Sequence, residues 1–412
     1  MLRRQILQMG ACTLAGLPVG LLRAQQTRPR KLVVVMLRGA VDGLSVVAPH
    51  GERAYAASRP AIALAPPGAA DGLLKLDNLF GLHPSLGMLK RHWDGGSLAF
   101  VHASGSPDNT RSHFDAQDYL ESGTPGRKST PDGWMNRLLT ALPGQPSPTR
   151  AISQGSAPPR IFAGPASVAS LGLGPKAMDR RAIDNPALQA GLARLYANDP
   201  TLNATLADTT AGRSEMARSM AEADREPRAM DPTADAGAQS ARSFAADARR
   251  LGQLIRKDVH TQLAFTSVGG WDTHVNQGNA QGQLANKLAS LGAGLDALAD
   301  GLGDALRDTV IVVLSEFGRT VRQNGNGGTD HGRGNVMWLL GGPVAGGQVL
   351  GEWPGLDTAA LADGRDLAVR TDFRQVLAPV LQGHLGLSDA GLALVLPEAP
   401  TAWAQAGRLL RG

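Results

Sequence analysis

Four short apolar runs, each followed by polar residues, constrain the fold of this 412-residue chain more than any other feature. They occupy residues 31–37, 97–102, 261–268 and 309–314. Runs of this length without polar alternation are typical of strands that are buried on both faces of a parallel sheet. The sequence therefore predicts a mainly parallel sheet that is covered on both sides.

A long amphipathic helix is predicted between the third and the fourth run. Its leucines recur at steps of three and four residues, which places them on one face: Leu284, Leu288, Leu291, Leu295, Leu298, Leu302 and Leu306. A strand, a long helix and a second strand in this order are typical of α/β proteins. We therefore expect an α/β fold in which a mainly parallel sheet is sandwiched between helices.

Residues 176–250 differ from the rest of the chain because they are rich in Ala, Arg, Asp and Met and contain no strand-like run. Amphipathic helices are predicted at 186–197, 201–223 and 238–250, with a mobile loop at 224–237. The stretch is interpreted as a helical insertion or cap within a domain that covers residues 31–412. The alternative interpretation is a disordered linker.

Residues 1–24 are predicted to be a twin-arginine export signal. Arg3 and Arg4 precede an apolar stretch that continues to about Leu22, which is the order typical of such signals. Cys12, the only cysteine, lies before most of that stretch, so lipid attachment is not expected. The signal predicts a twin-arginine translocase as partner during export, and a periplasmic or secreted protein. The alternative is the basic N-terminus of a cytoplasmic protein.

The charge of the chain gives no reason to expect a nucleic-acid partner. The formal net charge is +5, and three arginines of the predicted signal (Arg3, Arg4 and Arg23) account for most of it. The remaining residues lack the excess of basic side chains that nucleic-acid binding requires. No apolar run after the predicted signal is long enough to cross a bilayer, so no stable membrane span is expected.

The polar residues that follow the apolar runs are the candidate functional residues, because ligands of such sheets bind beyond the carboxyl ends of the strands. They are carboxylates, histidines, hydroxyls and arginines: Asp42, Thr110, Arg111, Ser112, His113, Asp115, Asp272, His274, Glu316, Arg319, Asp330 and His331. Carboxylate oxygens combined with neutral imidazoles suit zinc, manganese or iron, whereas magnesium and calcium prefer oxygen alone. The sequence therefore predicts a divalent-metal or polyanion site at one edge of the sheet.

The order of these motifs resembles a bacterial exported family called domain of unknown function 1501. The motifs are Asp-Gly at 42–43, Ser-His-Phe-Asp at 112–115, Gly-Gly-Trp-Asp-Thr-His at 269–274, Ser-Glu-Phe-Gly-Arg-Thr at 315–320 and Gly-Thr-Asp-His-Gly at 328–332. That family is in turn similar to the alkaline phosphatase and sulfatase superfamily. The resemblance implies a sheet between helices and a metal-assisted hydrolytic site.

The resemblance also implies roles for individual residues. The expected metal ligands are Asp42, Asp272, His274, Glu316 and His331. Ser112 or Thr110 would be the hydroxyl nucleophile, placed at the start of a helix where an anion is favoured. Arg111 or Arg319 would bind the oxygens of the transferred group. The metal, zinc, manganese or similar, would lower the pKa of the nucleophile.

Local structural roles are the alternative for several of these residues. Ser112 could cap a helix whose first turn contains His113 and Asp115. Arg319 could form an ion pair with Glu316 or hold a loop.

The sequence also departs from the superfamily pattern. Phe317 stands where the superfamily has a histidine, and the sulfatase motif Cys-x-Pro-Ser-Arg is absent. The expected function is that of an exported metal-dependent hydrolase-like protein acting on a phosphate or sulfate ester or a related anion. The alternative is a non-catalytic periplasmic or surface binding protein that retains the fold.

Overall fold

The computed structural model describes residues 29–155, 158–174, 181–220, 238–400 and 403–412. The predicted export signal (1–24) and the predicted loop at 224–237 lie outside the described residues.

A mixed, mostly parallel sheet of ten strands forms the centre of the described structure, and a three-stranded sheet accompanies it. The strands, in chain order, are β1 (Lys31–Leu37), β2 (Val47–Ala48), β3 (Leu74–Lys75), β4 (Gly81–Leu82), β5 (Leu98–Gly105), β6 (Ala151–Gln154), β7 (Ala169–Leu171), β8 (Gln239–Ser240), β9 (Leu263–Gly269), β10 (Thr309–Ser315), β11 (Asn335–Leu340), β12 (Gln348–Leu350) and β13 (Thr371–Asp372). The order in the large sheet is β12-β5-β11-β10-β1-β9-β6-β7, with β13 beside β5 and β8 beside β9. Strand β11 is antiparallel to both of its neighbours. The small sheet has the order β2-β4-β3.

Helices of very different lengths connect the strands. They are α1 (Gly43–Val46), α2 (Arg53–Ser58), α3 (Lys90–Asp94), α4 (His113–Ser122), α5 (Trp134–Ala141), α6 (Pro186–Leu195), α7 (Pro200–Met220), α8 (Ala241–Lys257), α9 (Gln283–Leu302), α10 (Phe373–Pro379) and α11 (Asp389–Val395). Helix α9 is the helix that the leucine stripe predicts. The structure ends it at Leu302, and the last leucine of the stripe lies in a following 3₁₀ turn, Gly303–Asp308.

The large sheet is covered on both faces, as the unbroken apolar runs predict. In β1, Val33, Val35 and Leu37 belong to the core on one side, and Leu32, Val34 and Met36 belong to the core on the other. Leucines of α8 and α9 complete the first core, and apolar residues of α5 and α10 complete the second. Successive strand residues point to opposite faces, so a strand between two helix layers must be apolar throughout. The expected α/β sandwich with a mainly parallel sheet is confirmed.

The parallel register brings the candidate loops to one edge of the sheet. Leu37, the last residue of β1, pairs with Ser315 of β10 and with Val268 of β9. Ser104 of β5 pairs with Asn335, the first residue of β11, because β11 runs in the opposite direction. The segments that follow β1, β5, β9 and β10 therefore all begin at the same edge.

Helices account for most of the described part of 176–250, but Gln239–Ser240 form the short strand β8, which pairs with β9 and was not predicted. An ion pair at 2.6 Å joins Arg213 of α7 to Asp184, which lies in the 3₁₀ turn just before α6. Helix α8 is different, because Leu251 and Leu254 are fully buried in the core that it shares with α9. The division of the chain into a domain and a helical insertion or cap stays a prediction, and α8 belongs to the helix layer of the sheet. Among the described helices, none has the length and apolar character of a membrane span.

Candidate metal centre

Three imidazoles and one carboxylate meet at the carboxyl edge of the sheet. The Nε2 atom of His331 lies 3.1 Å from Nε2 of His113 and 3.0 Å from Nε2 of His274. The Oδ1 atom of Asp272 lies 3.0 Å from His274 Nε2 and 3.3 Å from His331 Nε2. Its Oδ2 atom lies 3.7 Å from His113 Nε2. We call these four residues the histidine cluster.

The other nitrogen of each imidazole, Nδ1, faces an oxygen that can only accept a hydrogen bond. These oxygens are Glu316 Oε1, 2.8 Å from His113, the Arg111 carbonyl, 2.8 Å from His331, and Asp330 Oδ1, 3.2 Å from His274. Each Nδ1 therefore carries a proton, and in the neutral imidazole Nε2 then presents a lone pair. Three lone pairs directed at one region repel one another unless a cation lies between them.

The donor atoms suit a divalent metal. The ligand atoms of His113, Asp272 and His331 all lie within 4.8 Å of one another, and His274 adjoins them. Imidazole nitrogens with a carboxylate oxygen are typical of zinc and of neighbouring transition metals. Imidazoles whose second nitrogen donates to a carboxylate or carbonyl are also the usual arrangement around a bound metal. The residues present therefore fit the group that the sequence predicts.

The charges of the cluster reinforce this arrangement. Burial alone would lower the pKa of His113, but the carboxylates of Asp272 and Glu316 raise it to about 9. Burial raises the pKa of Asp272, but the positive charges of His113 and Arg319 hold it far below its usual range. Asp272 is thus ionised at neutral pH. A metal ion would compete with the proton that His113 binds in the metal-free protein.

Glu316 holds the His113 ring and does not face the cluster itself. Its side chain is fully buried, and Oε1 accepts hydrogen bonds from His113 Nδ1, from the Gly39 N–H at 2.7 Å and from Gln117 Nε2 at 3.0 Å. Its Oε2 accepts from the Ser315 hydroxyl at 2.9 Å. These donors occupy both oxygens of the carboxylate, and the ligand role that the resemblance implied for Glu316 stays a prediction.

Asp42 is likewise bonded to groups outside the histidine cluster. It is 1% exposed, and Arg59 donates to both of its oxygens, at 2.6 and 3.0 Å. The Ser45 hydroxyl and Gln277 Nε2 donate to Oδ2, each at 2.7 Å. Burial raises the pKa of Asp42, but Arg59, Ser45 and Gln277 together lower it. Asp42 therefore belongs to a buried ion pair, and both of its oxygens accept hydrogen bonds from protein donors.

The two candidate arginines have structural partners. Arg319 is 1% exposed and donates to the carbonyls of Ala40, Gly39, Trp271 and Thr329 and to the carboxylate of Asp272. Its expected ion pair with Glu316 is not formed, and its role is to hold three loops and Asp272 together. Arg111 pairs with Asp366 at 2.5 Å and with Asp363 at 3.2 Å. Neither guanidinium is free of protein partners.

The two candidate nucleophiles also have local roles. Ser112 caps α4, and its hydroxyl accepts a hydrogen bond from the Asp115 N–H at 3.4 Å. The Thr110 hydroxyl accepts from the Ser112 N–H at 3.2 Å. These contacts match the capping interpretation of Ser112. Their assignment as nucleophiles stays a prediction.

His113 is the cluster residue that was a candidate in the sequence but was not among the expected metal ligands. It is the first residue of α4, so its helical position was anticipated and its contact with Asp272 was not. The available signal was a histidine that opens a helix directly after a strand-end loop. Phe317, which replaces an expected histidine, packs its ring against His113 and His331, with ring centres 4.9 and 5.1 Å apart.

Close backbone approach allows the loops to converge. Gly39 has a φ of +110°, and a Cβ atom at this position would lie 2.9 Å from the Asp272 nitrogen. Only glycine combines this φ with so small a volume. The loop after β1 can therefore lie against the loop after β9 and present the Gly39 N–H to Glu316.

The fold and the cluster together define an α/β protein with a candidate metal centre at the carboxyl edge of its sheet. The chain belongs to the family described as "Protein of unknown function (DUF1501)", whose sequence profile matches residues 29–396. The resemblance drawn from the five motifs is therefore confirmed. No curated protein matches the chain significantly.

Solved structures with similar folds include proteins of the alkaline phosphatase superfamily. The C-terminal periplasmic domain of EcEptC from Escherichia coli is 13% identical, with 91% of this chain and 88% of that chain covered and a TM-score of 0.38. A protein in the alkaline phosphatase superfamily from Vibrio parahaemolyticus is 9% identical, with 77% and 61% covered and a TM-score of 0.36. The lipoteichoic acid synthase LtaP from Listeria monocytogenes is 10% identical, with 83% and 74% covered and a TM-score of 0.34. At TM-scores this low, the functional argument rests on the geometry of the site.

Proposed function

We propose that this protein is an exported metal-dependent hydrolase that acts on a phosphate or sulfate ester or a related anion. The observation that carries the proposal is the convergence of three imidazole Nε2 atoms and the Asp272 carboxylate, with every Nδ1 atom bonded to an acceptor. Such an arrangement stabilises a cation, either a metal ion or the proton that His113 binds in the metal-free protein.

In the proposed centre, His113, Asp272 and His331 hold the metal, and His274 adjoins them as a fourth ligand. Glu316 and Asp330 accept the Nδ1 protons of His113 and His274 and so keep the rings in place. A bound divalent ion would supply Lewis acidity and would neutralise charge on the substrate. Asp42 is left out of this ligand set because Arg59 neutralises it.

The metal would also provide the charge that attracts an anionic ester. Arg319 is buried and fully engaged, and Arg111 is paired with two aspartates. The protein around the cluster therefore offers no free guanidinium among these candidates. Substrate affinity should accordingly fall when the metal is removed.

A non-catalytic binding protein is the second candidate function. The observation that favours it is that the hydroxyls of Ser112 and Thr110 are engaged in the loop before α4. A protein of this kind would bind the metal and an anion and would not turn over an ester.

Metal content and turnover separate the two candidates. Purified protein should be analysed for zinc, manganese and iron, and assayed with an aryl phosphate and an aryl sulfate. His331→Ala should lose metal and turnover together, whereas His260→Ala, an exposed histidine away from the cluster, should change neither. Bound metal without turnover of any ester class would favour the binding protein. Failure to bind any divalent metal would contradict both candidates.

Export through the twin-arginine translocase is a separate part of the proposal, and Arg3 and Arg4 support it. The double substitution Arg3→Lys and Arg4→Lys should leave the precursor in the cytoplasm, because this pathway recognises the arginine pair. Fractionation of cells measures the distribution. A normal periplasmic yield from the double variant would contradict the assignment.

A further inference from the structure

One face of α4 continues the candidate metal centre into the protein interior. His113, Gln117 and Glu121 are spaced four residues apart and therefore lie along the same side of the helix. Each is bonded to a residue that follows a neighbouring strand: His113 and Gln117 to Glu316, and Gln117 and Glu121 to Arg38. The result is a continuous chain of hydrogen bonds from the cluster to a buried ion pair.

The orientation of the Gln117 amide is determined by Arg38. A guanidinium only donates hydrogen bonds, so the Gln117 oxygen must face Arg38. The amide nitrogen is then directed at Glu316 Oε1, 3.0 Å away. Arg38 is held in turn by Glu121 at 2.7 Å, and the two side chains are 6% and 2% exposed. Water therefore has little access to compete for the bond between Arg38 and Glu121.

Gln117 completes the set of donors that fixes the Glu316 carboxylate. The same oxygen, Oε1, accepts from the Gly39 N–H, from Gln117 and from His113. Two of these donors therefore restrain the oxygen that the His113 imidazole must meet. A shift of Glu316 would turn the His113 ring and move its Nε2 atom relative to Asp272 and His331.

We propose that Gln117 is a positioning residue of the candidate metal centre, which sets the direction of the His113 lone pair through Glu316. The inference rests on the proposed function, because it assigns Gln117 a role toward the metal. The role depends on hydrogen bonding, because the Gln117 amide must donate to Glu316 while it accepts from Arg38. Shape alone does not fulfil this requirement.

Two substitutions of similar size distinguish polar positioning from packing. Gln117→Met removes the donor and introduces no charge. Gln117→Glu keeps the shape but places a second carboxylate beside Glu316, and Arg38 favours its ionised form. Asp118→Asn, on the same helix, is the matched control, because it removes only the partly exposed ion pair with Arg160.

The experiment measures zinc affinity at pH 8 by competition with a chromophoric chelator, together with the visible spectrum of the cobalt-substituted protein. Loss of an outer partner of a ligand typically weakens metal binding about 10- to 100-fold. We expect about tenfold for Gln117→Met and about a hundredfold for Gln117→Glu, each with an altered cobalt spectrum. Asp118→Asn should match the wild type.

The order of the two variants decides the result. Wild-type affinity in both variants, or a smaller loss for Gln117→Glu than for Gln117→Met, would overturn the positioning role. If Gln117→Glu does not fold, Gln117→Met decides alone, and an unchanged affinity overturns the inference. A wild-type protein that binds no metal would contradict the proposed function as well, whereas wild-type binding with equal variants would contradict only this inference.

Discussion

Asp42 and Asp272 follow neighbouring strands of the same sheet, yet the structure gives them opposite environments. The Asp42 side chain is 1% exposed and is paired with the fully buried Arg59. The Asp272 side chain is 41% exposed and lies among three imidazoles. A carboxylate beyond a strand end can thus form a buried ion pair, as Asp42 does, or stay accessible to a ligand, as Asp272 does. The charged partner that the rest of the chain supplies decides between the two outcomes.

Histidines repeat this contrast. His102 and His83 are buried near Asp42, and burial lowers the pKa of each to about 4. Their rings bond to backbone groups, such as the Val47 carbonyl at 2.9 Å from His102 Nε2. In the cluster, burial alone would lower the pKa of His113, but the two carboxylates raise it to about 9. Carboxylates in direct contact therefore determine which histidines are available to bind a cation.

The largest expected effect concerns the buried ion pair between Asp42 and Arg59. Arg59→Met should leave Asp42 buried without its cation and destabilise the protein by about 3–5 kcal/mol. Denaturant unfolding measures the loss.

A double substitution controls for the loss of side-chain volume. Adding Asp42→Leu to Arg59→Met removes the unpaired charge, so part of the lost stability should return. If the Arg59→Met variant were as stable as the wild type, the buried ion pair would not stabilise this region.

Low pH should also destabilise the buried region around Asp42. Below about pH 6.5 the unfolded chain protonates His102 and His83, whereas the folded protein resists until about pH 4. The stability that these two neutral histidines contribute is therefore complete above pH 6.5 and falls between pH 6.5 and 4, by up to about 3 kcal/mol for each histidine.

Urea unfolding of metal-free protein at pH 7 and pH 4.5 measures this loss. His102→Gln should show a smaller loss between the two pH values than the wild type. Identical pH dependence in the two proteins would show that His102 is not held neutral.

In the histidine cluster, Asp272→Asn should weaken metal binding by at least about a hundredfold. Loss of a residue that only supports a ligand already lowers metal affinity about 10- to 100-fold. The amide oxygen can still accept from Arg319, so the variant should stay folded. Metal titration followed by a thermal unfolding scan measures both. Retention of full metal affinity would remove Asp272 from the proposed ligand set.

The smallest effect on stability is expected from a substitution at Ser112, which directly precedes His113. Ser112→Ala removes the cap of α4 and should lower stability by about 0.5–2 kcal/mol. Metal affinity should change little, since Ser112 has no bond to the cluster in the described structure. If the variant loses turnover while its stability and metal content persist, Ser112 is the nucleophile that the sequence argument named.

The sequence predicted the sheet and its helix layers well because both depend on local patterns. The predicted strand at 31–37 coincides with β1, and the strand at 309–314 is one residue shorter than β10. The predicted helices at 186–197 and 201–223 agree with α6 and α7 over most of their described length. The third, predicted at 238–250, begins later, at Ala241, because residues 239–240 form β8; it continues as α8 to Lys257 because its later leucines are buried against α9.

The candidate site was predicted only in part. Asp272, His274 and His331 do meet, because parallel strands bring their loops to one edge. Glu316 lies beside them as a supporting residue. No local pattern distinguished Asp42 from Asp272, since both are acidic residues just beyond a strand.

By itself, the sequence determined which segments become strands and therefore which polar residues reach the carboxyl edge of the sheet. Only the tertiary structure decided which of them are free to bind a ligand. Arg59 neutralises Asp42 from 17 residues away, Arg319 joins loops that follow three strands, and His113 reaches Asp272 across the sheet edge. The physical reason is that apolar periodicity is a property of neighbouring residues, whereas the charge state and availability of a side chain depend on partners that only folding brings within a few ångströms.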